Sequence, residues 1–187
     1  MAEFGCTPGQ TVGPFFDSAL TYPGDGDLVG DAHPNAVQLH GTVYDGAGDG
    51  VPDALVELWQ PDGAGQIPRR GGSLRRDAAA FTGWGRSATD AAGHYGFTTV
   101  APGSASAGRP PFFCIAVFGR GLLNRLFTRA YLPHGDLNGD PVLATVDAGR
   151  RATLLCVAES GCAAYRFDIH LQGLNETVFL AYRGDGR

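Results

Sequence analysis

An all-β sandwich is the fold class that this chain predicts, and three observations carry the expectation. The 187 residues include 29 Gly and 12 Pro with no fixed period, a turn-rich composition. Short runs that alternate apolar and polar, or are apolar throughout, follow one another with turn signals between them. A single stretch, 140–146, reads as a helix. The length suits one domain with its own core. A hydrophobic share of 43% is ordinary for a globular protein. The expected division is an extended N-terminal arm, 1–36, and a β-sandwich domain, 37–187.

Residues up to about Pro34 are rich in Gly, Pro, Asp and Thr and carry no period. Val37, Leu39, Gly41 and Val43 then alternate with Gln38, His40, Thr42 and Tyr44, the period of a half-buried strand. Residues 45–50 are a Gly- and Asp-rich turn, and 54–59 a second strand. From Pro61 to about Ser87 apolar periodicity is too weak for a strand, so a long loop is expected, of the kind that is usually functional or disordered. Strands follow at 94–100 and at 112–118, the latter a continuous apolar run suited to the centre of a sandwich. Segments 126–131 and 152–157 are further strands. Tyr165, Phe167, Ile169 and Leu171 alternate with Arg166, Asp168 and His170, and 178–180 closes the series. In 140–146, Asp140 stands where a helix cap should and Pro141 at the first helical position.

A formal net charge of −5 weighs against a nucleic-acid partner, which leaves a basic footprint. The one local exception, Arg69, Arg70, Arg75 and Arg76, lies among glycines and reads as a solvated loop. No apolar run approaches the ~20 residues that span a bilayer. No basic-then-apolar leader is visible, and a cytoplasmic location is expected. Cys6, Cys114, Cys156 and Cys162 lack Cys-x-x-Cys spacing, which argues against zinc. Cys114 and Cys156 fall in apolar runs, as small core residues do.

Several segments, in order, resemble the intradiol ring-cleavage dioxygenases, which cut catechols with a non-haem ferric iron. The first is Thr7-Pro8-Gly9-Gln10-Thr11-Val12-Gly13-Pro14-Phe15-Phe16, and the next 51–60, with Glu57-Leu58-Trp59-Gln60 at its end. Phe81-Thr82-Gly83-Trp84-Gly85-Arg86 and Phe118-Gly119-Arg120-Gly121-Leu122-Leu123 follow, then Arg150-Arg151-Ala152-Thr153-Leu154. The last are Tyr165-Arg166-Phe167-Asp168-Ile169-His170 and Glu176-Thr177-Val178-Phe179. Each is weak alone, and the series is strong. The Arg-Gly-Leu-Leu segment and the Glu-Thr-Val-Phe ending resemble the alpha-type subunit of two-subunit members rather than the catalytic beta type.

The resemblance implies two tyrosinates and two imidazoles around a ferric ion, a hard-donor set that leaves room for a chelating catecholate. Those positions are empty. The His-x-His place after a proline reads Pro111-Phe112-Phe113-Cys114, with Phe112 and Cys114 at the ligand positions. One tyrosine position, just after Pro102-Gly103, holds Ala105. The other belongs in the loop after Trp59, yet no Tyr occurs between Tyr44 and Tyr95. His33, His40, His94, His134 and His170 are scattered and do not rebuild a site. The expectation is therefore a chain without catalytic residues or metal of its own, with Fe(III) in a beta subunit.

In the resembling enzymes the alpha chain helps to wall the beta chain's site, which implies a substrate-pocket wall of Thr11, Gly13, Pro14 and Arg120. A guanidinium suits the carboxylate of protocatechuate, and Gly13-Pro14 gives a fixed backbone for close approach to a flat ring. Arg120 is open to a second role, an ion pair across the subunit interface, and Gly13-Pro14 to that of a simple turn. Trp59, Trp84 and Tyr165 read as core or interface aromatics. The implied function is support of O₂-dependent cleavage of protocatechuate in a hetero-oligomer of αβ units. The alternative is a non-enzymatic β-sandwich interaction or ligand-binding module derived from the family.

Overall fold

Two sheets make the fold, seen in a computed structural model that describes residues 11–13, 15–69, 80–134, 137 and 139–181. The first sheet is built on β1 (Ala36–Tyr44), which pairs antiparallel with β4 (His94–Val100). On its other edge β1 pairs parallel with β8 (Ala164–Arg166) and β9 (Ile169–His170), and β8 pairs with β7 (Val157–Ala158). The second sheet is fully antiparallel, in the order β3 (Trp84–Ala88), β2 (Leu55–Trp59), β5 (Phe112–Phe118), β6 (Leu126–Tyr131). The expected sandwich is present.

The core follows from alternation. Leu39 and Val43 of β1, Val56 and Leu58 of β2, and Phe113, Ile115 and Val117 of β5 all face inward and are fully buried. Residues between them on the second sheet face outward, and two cross-strand rows there matter below. One row runs Trp84, Trp59, Cys114, Arg129, and the next pairs Phe112 with Tyr131. Cys156 is a core residue as expected, whereas Cys114 lies on the outer face and is only half-buried.

Three turns share one design. Asp45, Asp62 and Asp90 each accept two backbone N–H bonds, from residues two and four ahead, at 2.8–3.0 Å. A glycine at positive φ follows three residues after each: Gly48, Gly65 and Gly93. The Asp supplies the acceptor, and the Gly supplies the left-handed residue that closes the turn.

Four expectations need correction. Strand β3 falls inside the stretch read as loop. Its inward position is Gly85, where a Cβ would collide with Leu28, so the apolar alternation that marks a strand is missing. In the run 152–157, expected as a strand, residues 151–154 make a 3₁₀ turn, Leu155 forms a single parallel bridge to Tyr131, and a strand begins only at 157. The alternating run 165–171 is broken at Phe167 and Asp168, yet its register is unchanged across the break, with Leu39 opposite Tyr165 and Val43 opposite Ile169. The Asp168 carboxylate accepts the Thr42 N–H at 3.1 Å, and Tyr95 Oη donates to the Phe167 carbonyl at 2.5 Å, so side chains replace ladder bonds there. Residues 178–180 form no strand. Val178 is held instead by the hydroxyls of Thr128 and Thr153, and the Leu180 N–H reaches the Phe127 carbonyl at 2.7 Å.

There are also two short helices rather than one. The expected one, α2 (Pro141–Thr145), is capped by Asp140, whose carboxylate accepts the N–H groups of Val142 and Leu143. The other, α1 (Phe16–Leu20), lies in the arm, and Arg86 on β3 donates to the Leu20 carbonyl at 2.8 Å. Further along the arm Leu28 and Val29 are buried, and the Leu28 N–H bonds the Thr98 carbonyl. Among the described residues no helix is long and apolar enough to cross a membrane.

Candidate functional site

Strand β5 carries both places where chemistry was expected, one at each end. At its start Phe112 and Cys114 share the outer face, as two residues of a His-x-His pair would. Cys114 sits between Trp59 and Arg129 in register. The turn after Trp59 joins this end, and the Gly103 N–H bonds the Asp62 carbonyl at 2.8 Å, which brings the loop of Ala105 onto that turn. Among the described residues, the segments that should carry ligands are thus folded together, with other residues on them.

What fills the place is a cation and its partners. The Arg129 guanidinium lies 4.1 Å over the Phe112 ring. It donates to Tyr131 Oη at 3.1 Å and to the Asp140 carboxylate at 3.3 Å. Asp140 is 1% exposed and caps α2 with its other oxygen. Burial pushes the Tyr131 hydroxyl up to about 12, with the Arg129 bond opposing, so it stays a phenol at neutral pH. Burial likewise raises the Cys114 thiol, with Arg129 partly opposing.

Ferric iron does not fit these residues. A phenyl ring and a protonated thiol stand at the histidine positions and a methyl group at one tyrosine position. A guanidinium lies where added positive charge would be repelled. Among the described residues no group of three His, Cys, Asp or Glu side chains could hold a metal ion. The histidines stay apart: His40 meets Glu159 at 3.3 Å, His94 meets Asp90 at 3.4 Å, and His170 stacks on Tyr44.

The other end of β5 carries Arg120. Phe118 is already about 13 Å along the strand from Cys114, and Arg120 lies beyond it. Gly119 to Leu122 form a turn closed by the Leu122 N–H on the Gly119 carbonyl at 3.2 Å. Thr11 of the arm accepts the Gly121 N–H through its hydroxyl at 2.8 Å. The two segments that carry the four predicted wall residues therefore meet, although 110 positions separate Thr11 from Gly121. Gly13 is near them in the chain and exposed, and Pro14 lies outside the described residues. Arg120 forms an ion pair with Asp53, a residue within the chain rather than across an interface. A cavity of about 200 Å³ beside this turn is lined by Val12, Phe118, Gly119, Leu122, Leu123 and Arg125.

Sequence reading missed Asp53, Arg129 and Tyr131. Asp53 stands in one of the matched segments, but nothing local to it signals a partner 67 positions away. Of the basic loop only Arg69 is described, and it is exposed; Arg70, Arg75, Arg76 and Cys6 lie outside the described residues.

The chain belongs to the dioxygenase family, whose pattern it matches over residues 26–173. It is 41% identical to the protocatechuate 3,4-dioxygenase alpha chain of Burkholderia cepacia, a match that covers 92% of this chain and 95% of that one. It is 34% identical to the beta chain from the same organism, over 83% of this chain and 74% of the other. Among solved structures, the dioxygenase domain of a carbohydrate-binding fusion protein from Streptomyces sp. SirexAA-E superimposes with a TM-score of 0.56. It is 26% identical over 89% of this chain and 98% of that one. The chain thus resembles both kinds of subunit, and the alpha kind more.

Proposed function

We propose that this chain is the non-catalytic alpha subunit of a protocatechuate 3,4-dioxygenase. It acts with an iron-bearing beta subunit that cleaves protocatechuate with O₂ to 3-carboxy-cis,cis-muconate in aromatic catabolism. The single observation that carries the reading is the near full-length similarity to an alpha chain. The state of the ligand positions supports it. Phe112, Cys114 and Ala105 offer no hard donors, and Arg129 supplies a fixed positive charge beside them. Fe(III) then resides in the partner, and the assembly is cytoplasmic.

This chain contributes a wall and contacts. Residues 1–36 serve as an arm that helps form the partner interface, with 37–187 as the sandwich domain. Thr11, Gly13, Pro14 and Arg120 line the shared pocket. Arg120 projects from a turn with its side chain 58% exposed, at the end of β5 remote from the chain's own emptied site. An always-charged guanidinium there draws the substrate carboxylate and hydrogen-bonds it.

Arg120→Ala in the assembled αβ enzyme tests the reading. The expected result is a rise in KM for protocatechuate that catechol, lacking the carboxylate, does not share. If the partner shields the site the loss is about 1 to 3 kcal/mol, and less if it stays wet. Arg120→Lys recovers part, because a point charge does not reproduce the planar fork. Equal losses on both substrates contradict the pocket role.

A further inference from the structure

We propose that Asp53 is a positioning residue for Arg120, fixing the guanidinium in the direction in which it meets the substrate carboxylate. The inference rests on the reading of Arg120 as part of the shared pocket. Its basis is the meeting of three chain segments at one corner of the fold. Leu122 N–H closes on Gly119 O, and Gly121 has φ +86°, the geometry of a type II turn with Arg120 at its first corner. Thr11 holds the Gly121 N–H from the arm side. Asp53 holds the Arg120 Nε from the opposite turn.

The two partners of the ion pair differ in firmness. Asp53 stands between Val51 and Ala54, and Thr89 ties that turn by accepting the Ala54 N–H at 2.9 Å and donating to the Val51 carbonyl at 2.7 Å. Thr89 is 7% exposed and Ala54 fully buried, so Asp53 has a rigid base. Its own side chain is 18% exposed, against 58% for Arg120. The firm carboxylate therefore orients the free-standing arginine, not the reverse.

A pair this open to water adds little to stability, so its value lies in direction. An arginine side chain has many rotamers, and ordering them on binding weakens affinity unless they are ordered beforehand. The contact uses Nε, one of five donors on the guanidinium, and leaves the terminal amino groups for an anion. Asp53 also has an opposite effect, since its negative charge lowers the local attraction for a carboxylate. Positioning and competition change KM in opposite senses, and that separates them.

The test uses the assembled, iron-loaded αβ enzyme with protocatechuate and catechol as paired substrates. Asp53→Ala is expected to raise KM for protocatechuate about threefold to tenfold, with kcat within about twofold and the KM for catechol unchanged. Asp53→Asn keeps an acceptor oxygen for Nε and recovers most of the loss. In an Arg120→Ala background, Asp53→Ala adds nothing further. A fall or no change in protocatechuate KM for Asp53→Ala, with Arg120→Ala still selective, overturns the positioning role and leaves the pocket reading intact. A non-selective Arg120→Ala overturns both. Dissociation of the complex on size exclusion in both Asp53 variants makes the residue structural and also overturns the proposal.

Discussion

The Arg129–Asp140 pair lies beside Phe112 and Cys114, the positions at which the family resemblance places metal ligands, and removing its carboxylate has a calculable cost. Asp140→Ala deletes two interactions at once. The first is the cap on α2, made at 2.7 Å to the Val142 N–H, worth about 1 kcal/mol. The second is the partner of Arg129, whose side chain is only 18% exposed while that of Asp140 is at 0%. Stranding one member of a fully buried pair costs about 3 to 5 kcal/mol. The residual exposure of Arg129 and its bond to Tyr131 put the cost here nearer 2 to 3. The expected total is about 3 to 4 kcal/mol. Asp140→Asn keeps an oxygen for the cap and loses the charge, for about 2 kcal/mol. In an Arg129→Met background no charge is left to strand, and Asp140→Asn then costs ~1 kcal/mol or less. Urea titration followed by tryptophan emission reads this directly, because Trp59 and Trp84 pack at 5.8 Å in the same cross-strand row. If Asp140→Ala costs ~1 kcal/mol in both backgrounds, only the cap matters and the pair is not what holds this face.

Two other perturbations have defined outcomes. Gly41→Ala would drive a Cβ into the Phe167 carbonyl at the break between β8 and β9, whereas Gly96→Ala, across the ladder on β4, meets nothing within 4 Å. The first is expected to cost at least about 3 kcal/mol and the second within about 0.5, measured by denaturant midpoint at constant slope. Tyr131 has a hydroxyl raised from 10.0 to about 12, so folding favours its neutral form. That contribution is complete below pH 10 and lost as pH rises toward 12. Tyr131→Phe should flatten the alkaline fall in stability over this window. A residual fall starting nearer pH 9 remains, because burial also raises Cys156 from 9.0 to about 12 and Tyr95 well above 10.0.

Much of the fold was legible because its strands alternate on one buried face. β1 was marked by alternation, β5 by a continuous apolar run, β2, β4 and β6 by short runs between turn signals, and α2 by Asp140 before Pro141. β3 was not legible, since its inward position must be glycine to admit Leu28. The break at Phe167 was hidden for a related reason. Alternation records which face a residue takes, and it says nothing of whether Tyr95 and Asp168 side chains replace the ladder bonds. Segment 152–157 reads apolar enough for a strand, yet its first half closes as a 3₁₀ turn through the Leu155 N–H on the Ala152 carbonyl, with Arg151 bonding the Val146 carbonyl beside it.

The site divides in the same way. Vacancy at the ligand positions was legible residue by residue through family resemblance. That Arg129 fills the place was not, because its contacts to Phe112, Tyr131 and Asp140 exist only once β5, β6 and α2 are assembled. The contact between Thr11 and Gly121 is likewise tertiary. Both halves lay in recognised motifs, and only folding puts a hydroxyl of the arm on the arginine turn.

The central claim is that this chain works beside iron that it does not hold. Its most direct test is iron content per chain after co-expression with the beta partner, purification of the complex and separation of the two chains. Iron and the tyrosinate-to-iron visible band are expected to follow the partner, with this chain colourless and free of stoichiometric metal. One iron per copy of this chain, with a visible band in the isolated chain, would contradict the account.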